Sequence, residues 1–238
     1  MKLTKRLKVN GVECQIVDDM VTLNLSRPGR SVFSVVSPVT LSGVVELSMG
    51  YDPQRLHRYF IGYVENSMTT NVNVQRLMCR ELTGVLDRIT PFNLRHVSLL
   101  KVLKILSELT ALKFVIPEKA NVYLAPYFYS WGGGYHVMDS IGRIFGFEKF
   151  MWQAQGDGRV FVGPWSDSYW SNKPVELGAQ ALTDHGYVNQ AKVPAIPLLR
   201  PGAHLVQDGK RLIVSQVQLA GSYMNITWSD NPWRAQRD

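Results

Sequence analysis

Between His136 and Trp165 the apolar positions fall first at helical and then at strand spacing. Val137, Met138, Ile141, Ile144 and Phe145 line one face of a helix that Gly146 ends. Strands are expected next at residues 149–154 and 159–163, around Gln155-Gly156-Asp157-Gly158, a turn sequence suited to positive φ. Upstream, Leu99, Val102, Leu103, Leu106 and Leu109 make a second helical stripe behind Ser98, an N-cap residue, with Lys104 and Glu108 paired on the watered side. That helix leads into a short strand at 113–116, stopped by Pro117. Residues 91–165 therefore read as a small α/β domain.

On both sides of this unit the period is two. Residues 7–9 and 12–17 flank Asn10-Gly11, a strong hairpin signal, with Val12, Cys14 and Ile16 expected on one face. Asp18-Asp19 reads as a turn, Val21, Leu23 and Leu25 alternate, and Ser26-Arg27-Pro28-Gly29-Arg30 reads as a loop. Strands follow at 32–36, 44–51, 58–65 and 71–80, with Asn66 as a breaker. Such a run before residue 85 predicts a small closed or nearly closed antiparallel barrel over residues 1–90. Beyond residue 165 comes a polar stretch with Tyr169 and Trp170 as anchors, then a connector stiffened by Pro194, Pro197 and Pro201. Strands at 203–206 and 211–219 flank Asp208-Gly209, and a third at 223–228 sets Met224, Ile226 and Trp228 on one face. Three strands rarely stand alone. Residues 166–238 are expected to build a second β module or to close onto the first barrel. The fold class is mainly β with an inserted α/β unit, carrying small antiparallel β-barrel modules.

Charge and chemistry narrow the functional classes. The net charge of +7 and pI near 9.4 permit contact with nucleic acid or an acidic surface. The charge is diffuse, however: Lys2, Lys5, Arg6 and Lys8 form the dense cluster, and no helix-turn-helix, zinc-finger or RRM signature accompanies it. Cys14 and Cys79 lie far apart without a C-x-x-C partner, and read as core thiols made in a reducing cytosol. No apolar run reaches signal-peptide or membrane-spanning length, so neither export by a cleaved signal nor a membrane span is expected. Trp131-Gly132-Gly133-Gly134 lacks the phosphate-loop pattern and reads as a flexible joint. The histidines are scattered, and His136 with Asp139 marks the first turn of a helix, where an aspartate favours the dipole. No catalytic, cofactor or metal site is expected, and the chain is not read as an enzyme. Trp233 beside Arg234, in a tail expected to be exposed, is the candidate anchor for a partner.

Three stretches resemble the tail hub proteins of bacteriophages, the late control and baseplate hub family related to the N-terminal part of type VI secretion spikes. They are Tyr59-Phe60-Ile61-Gly62-Tyr63-Val64-Glu65 with Cys79-Arg80-Glu81-Leu82; residues 98–117 with 146–163, including Asp157-Gly158-Arg159-Val160-Phe161-Val162-Gly163; and Leu199-Arg200-Pro201-Gly202 leading into 214–228. The resemblance implies a structural baseplate hub in the virion tail, made in the host cytoplasm and holding no cofactor. As a homotrimer, its two barrel modules per chain would form a pseudo-sixfold ring between the sixfold tube and the threefold tip, lining the DNA channel. Implied partners are the tail tube or distal tail protein, a separate tip or spike protein, the tape measure protein and, transiently, DNA. No spike or lysozyme-like region follows in this sequence, so the piercing tip is expected to be a separate protein. Lys2, Lys5, Arg6 and Lys8 are expected to face the lumen or an acidic neighbour. The alternatives are a hexameric distal tail protein and, further off, a tail-borne cell-wall hydrolase.

Overall fold

Seven strands precede residue 82: β1 (Thr4–Val9), β2 (Val12–Cys14), β3 (Ile16–Asn24), β4 (Arg27–Val36), β5 (Val44–Gly50), β6 (His57–Asn71) and β7 (Val74–Glu81). The computed structural model describes residues 2–88, 90–175, 189–207 and 210–233. Antiparallel pairing runs β2–β1–β5–β6–β7–β4–β3. The circuit returns to its start because β2 and β3 are halves of one strand run bent at Gln15. Cys14 pairs with Leu7 of β1, and the Gln15 carbonyl already accepts from Val36 N–H at the end of β4 (3.0 Å). Alternation then fills the interior with Leu7, Val21, Leu23, Phe33, Val35, Leu47, Phe60 and Leu77, all buried. Gly62 has no room for a Cβ, which would run into the Arg80 carbonyl across the β6–β7 ladder.

Three expected breaks are absent or shortened. Asp18 and Asp19 lie inside β3 rather than in a turn, since Asp19 is neutralised by Lys5 and can be buried there. The expected loop at 26–30 shrinks to a tight turn with Ser26 at φ 52°, and β4 starts at Arg27. Asn66 likewise continues β6. Cys14 and Ile16 pack partly buried against the barrel core, while Val12, beside the Asn10-Gly11 turn, is exposed.

The C-terminal strands extend this same sheet. β13 (Gln190–Pro194), β14 (His204–Gln207), β15 (Lys210–Ala220) and β16 (Tyr223–Ser229) are antiparallel, and β15 pairs with β3 from Gln216↔Asn24 to Ala220↔Met20. Pro194 is the last residue of β13 and not part of the connector. Met224, Ile226 and Trp228 face inward, joining one hydrophobic core with the barrel residues. The Asp208-Gly209 turn lies outside the described residues.

The inserted unit has its own core. α1 (Leu99–Thr110) is capped by Ser98, whose hydroxyl accepts from Lys101 N–H (3.2 Å), and buries Leu99, Val102, Leu103 and Leu106. Each such side chain contributes about 2 kcal/mol, against about 1 kcal/mol for the cap. Leu109 of the expected stripe is exposed. β9 (Lys113–Val115) pairs parallel with β12 (Arg159–Pro164), which pairs antiparallel with β11 (Phe150–Ala154). α2 (Gly134–Ile144) turns Val137, Met138 and Ile141 inward. Two further strands, β8 (Phe92–Ser98) and β10 (Leu124–Ser130), form a separate ribbon that the sequence pattern does not single out.

A buried ion pair fastens the connector to the barrel. Arg200 Nη2 donates to Glu81 Oε1 (2.9 Å) and Nη1 to the Tyr59 carbonyl (2.5 Å), while Gly29 N–H donates to Glu81 Oε2 (2.6 Å). Burial pushes the Glu81 carboxyl up, with Arg200 and the Gly29 amide opposing that shift. Removing one partner strands the other charge in the core. Arg200→Met is therefore expected to lower unfolding free energy by about 3–5 kcal/mol in urea titrations, and Glu81→Leu added to it to restore most of the loss.

Candidate assembly interface

Strand edges are the first feature that could join chains. Among the described residues the pairing order of the large sheet runs from β13 to β2, and the β8–β10 ribbon is two-stranded. The edge of a two-stranded ribbon is a template for a strand from another molecule. The ribbon also carries Tyr127, Tyr129 and Trp131 on its exposed side, with Trp131 69% exposed and its ring edge-on to Tyr129. The Arg95 guanidinium lies over the Tyr127 ring. Sequence reasoning missed this patch. Its signal is the alternation of Tyr127, Tyr129 and Trp131 with the buried Phe128 and Ser130.

The basic N-terminal cluster does not act as one surface. Alternation along β1 turns Leu7 and Val9 inward and Arg6 and Lys8 outward. Lys5 is drawn to the seam between β1 and β3, where Nζ meets Asp19 Oδ2 (2.5 Å) and the Gly221 carbonyl in the β15–β16 turn. Side-chain exposures of 12% and 8% make this a largely buried pair. Arg6 pairs with Glu13 in solvent (3.4 Å), and Lys2 and Lys8 are exposed.

Trp233 corrects the expectation of an exposed tail. It is only 7% exposed and packs with Met151, Phe161, Trp165 and Ile213, an apolar socket between the α/β unit and the C-terminal strands. Tertiary contact outweighs the polar sequence around it. Arg234 lies outside the described residues.

Candidate chemistry resolves into structural pairing. Asp139 accepts from Trp152 Nε1 (3.4 Å), while His136 Nδ1 meets the hydroxyl of Ser130 (2.7 Å), which is buried. Burial raises the Asp139 carboxyl above its ordinary range, opposed by the Trp152 hydrogen bond and nearby cations. The triglycine is a close approach rather than a flexible joint: Gly134 N–H donates to the Arg88 carbonyl (3.1 Å), Gly132 accepts from Thr90 N–H (3.1 Å), and a Cβ on Gly134 would meet Leu86. A cleft of about 570 Å³ lies between the barrel, the β11–β12 turn and the connector; its acids Glu46 and Asp157 are already paired, to Arg58 (3.0 Å) and Arg159 (2.6 Å). Among the described residues no three His, Cys, Asp or Glu side chains converge on a possible metal position. Cys79 is buried and its thiol pushed up to about 12, the state of an inert core cysteine.

With this geometry in hand, the likenesses are informative. No family model matches the sequence. An uncharacterized 58.7 kDa protein in the lys 3′ region of Haemophilus phage HP1 is 27% identical over 226 residues, which cover 93% of this chain and 41% of that protein. The chain thus spans less than half the length of this curated relative. The 43 kDa tail protein of prophage MuSo2 from Shewanella oneidensis superposes with a TM-score of 0.68 at 9% identity, over 97% of this chain and 98% of that one. A type VI secretion component of Escherichia coli, described as similar in structure to the T4 tail proteins gp27 and gp5, gives 0.61 at 12% identity, over 93% and 76%. The fold is that of phage tail proteins, mainly β with a curled antiparallel sheet and an inserted α/β unit.

Two outcomes follow for the charged and titrating groups. Lys5→Ala leaves Asp19 buried without its cation and is expected to cost about 3 kcal/mol in chemical unfolding, whereas Lys8→Ala stays within about 0.5 kcal/mol. His204 is 1% exposed, with Nδ1 3.1 Å from the Trp170 carbonyl. Burial lowers its pKa, the Trp170 hydrogen bond opposes this, and Arg211 adds to the lowering. The unfolded chain then binds the proton more readily, so stability is full above the ordinary histidine value of about 6.5 and falls as pH drops through it toward the depressed value. Thermal midpoints measured from pH 7.5 to 5.5 should decline less in His204→Gln than in the parent protein.

Proposed function

We propose that this chain is a structural component of a bacteriophage tail and, within it, the baseplate hub. The observation that carries the reading is the fusion of two β modules in one sheet through the β3–β15 ladder, with the α/β unit inserted between them. A chain with two such modules supplies two wall segments to a ring, so three copies make a pseudo-sixfold wall on a threefold assembly. In these terms residues 1–90 are the tube-like first barrel, 91–165 the α/β domain and 166–238 the second module.

The tail fold supports a place in the virion tail after synthesis in the host cytoplasm. The hub's neighbours are the tail tube or distal tail protein on one side and a tip or spike on the other, with the tape measure protein and DNA passing through the ring. Lys2, Arg6 and Lys8 are the exposed part of the basic cluster and make lumenal or acidic-neighbour contacts; they suit non-specific, salt-dependent contact with DNA. Lys5 serves the barrel seam instead. The role is mechanical, with no catalysis assigned to the chain.

Electron cryo-microscopy of purified tails without imposed symmetry tests this. Three copies around the axis, each giving two β modules to the channel wall, is the expected result. Six copies would identify a distal tail ring instead, and absence of the chain from the particle would end both readings.

A further inference from the structure

The β8–β10 ribbon is a sheet of its own, and its two faces differ. Phe92, Val97, Ala125 and Phe128 join the core of the α/β unit, while Leu124, Tyr127, Tyr129 and Trp131 are exposed. The pairing skips Pro126 and His96, with His96 at φ 47°, and this shift in the alternation leaves both Leu124 and Tyr127 outside. From Leu124 to Trp131 the row runs about 23 Å.

Leu124 has aliphatic company. It pairs with Ser98, and Leu99 N–H donates to the Tyr123 carbonyl (3.3 Å), which sets the first turn of α1 beside the start of β10. Leu100 in that turn is 56% exposed, and Val122, just ahead of β10, is 79% exposed. Aliphatic side chains thus gather at one end of the row and aromatic ones at the other.

Cations flank the row along its length. Arg95 stands opposite Tyr127 on the same face, and Lys101 and Lys119 bracket the Leu124 end. The bond from Gly134 N–H to the Arg88 carbonyl (3.1 Å) brings Arg88 to the Trp131 end. Residues 88–107 and 119–138 contain no Asp or Glu. Of the acids that bound these stretches, Asp87 is paired with Arg80 (3.3 Å) and Asp139 accepts from Trp152, while Glu108 and Glu118 are exposed.

Exposed aliphatic and aromatic side chains set among cations match the headgroup region of an anionic bilayer, where Trp and Tyr seat their rings and Lys and Arg meet phosphate. Single-stranded nucleic acid fits this face less well, because bases stack on open ring faces. Here the Arg95 guanidinium lies over Tyr127, and the rings of Tyr129 and Trp131 meet edge to face at 85°. Leu100, Val122 and Leu124 would also gain nothing from a sugar-phosphate chain. A second copy would bring like charges together across a two-fold contact.

We propose that the outer face of the β8–β10 ribbon binds the surface of an anionic phospholipid bilayer, with Leu124, Tyr129 and Trp131 at headgroup depth and Arg88, Arg95, Lys101 and Lys119 on the lipid phosphates. This binding is an activity beyond the structural role in the tail and does not depend on it.

Flotation of the purified chain with vesicles tests the proposal. Vesicles of phosphatidylcholine and phosphatidylglycerol in equal parts should carry the chain up the gradient, and phosphatidylcholine alone should not. Brominated lipid should quench tryptophan emission in the parent protein and not in Trp131→Phe, since Trp152, Trp165, Trp228 and Trp233 are buried. The combined Leu124→Ser, Tyr129→Ser and Trp131→Ser variant should keep the parent thermal midpoint and bind vesicles about tenfold or more weakly. Lys2→Ala with Arg6→Ala and Lys8→Ala, a change of similar charge elsewhere, should leave binding within about twofold of the parent. Absence of flotation, full binding by the serine variant, unchanged quenching in Trp131→Phe, or loss of binding in the N-terminal variant would overturn the proposal. Binding to a single-stranded oligonucleotide with none to vesicles would overturn it as well. Each of these results leaves the tail assignment standing.

Discussion

The strand run from Val12 to Asn24 bonds to three different neighbours, and both β modules depend on its bend at Gln15. Before the bend it closes the first barrel against β1; after it, one edge serves β4 and the other serves β15. Register along this run is therefore fixed from three sides. A slip of one residue would turn Val21 and Leu23 out to water and Met20 and Thr22 into the core. Irregular pairing near both ends of β3 absorbs the change of direction without losing that register.

Two buried ion pairs sit where separate parts of the chain meet. Lys5–Asp19 spans the seam between β1 and β3 with the β15–β16 turn, and Arg200–Glu81 joins the connector to the β6–β7 end of the barrel. Buried pairs are weak sources of stability compared with apolar contacts of the same volume, but an incorrect arrangement strands a charge. Their placement at junctions, rather than within either hydrophobic core, suits a role in choosing one docking of the parts. Trp165 adds a neutral counterpart, its Nε1 donating to the Gly202 carbonyl (2.8 Å) just after Arg200.

The same economy shapes the surface. Potentially reactive groups are turned to internal partners: Asp139 to Trp152, His136 to Ser130, His204 to the Trp170 carbonyl. Among the described residues, the aromatic ribbon of β10 with Trp131 stays outward and is suited to contact with another surface. Such features raise the risk of aggregation for a free chain and lose it in an assembly that covers them.

The repeating signals in the sequence determined the local elements. The helical stripe of Val102, Leu103 and Leu106 behind Ser98, the Asn10-Gly11 hairpin and the alternation of Met224, Ile226 and Trp228 each specify an element, because period and capping are local properties. The expected α/β insert and the strand-rich flanks were legible for that reason, and so was the tail-hub resemblance. Tertiary structure decided which elements share a sheet: nothing in residues 210–220 announces that they pair with residues 20–24, since hydrogen-bond partners of a strand lie outside its own sequence. It also decided the fate of isolated residues. Asp19 is a turn signal by itself and a buried strand residue once Lys5 reaches it, and Trp233 is an exposed anchor by its neighbours in sequence and a core residue by its neighbours in space. Burial is a property of what lies across the fold, and a chain read one residue after another does not contain it.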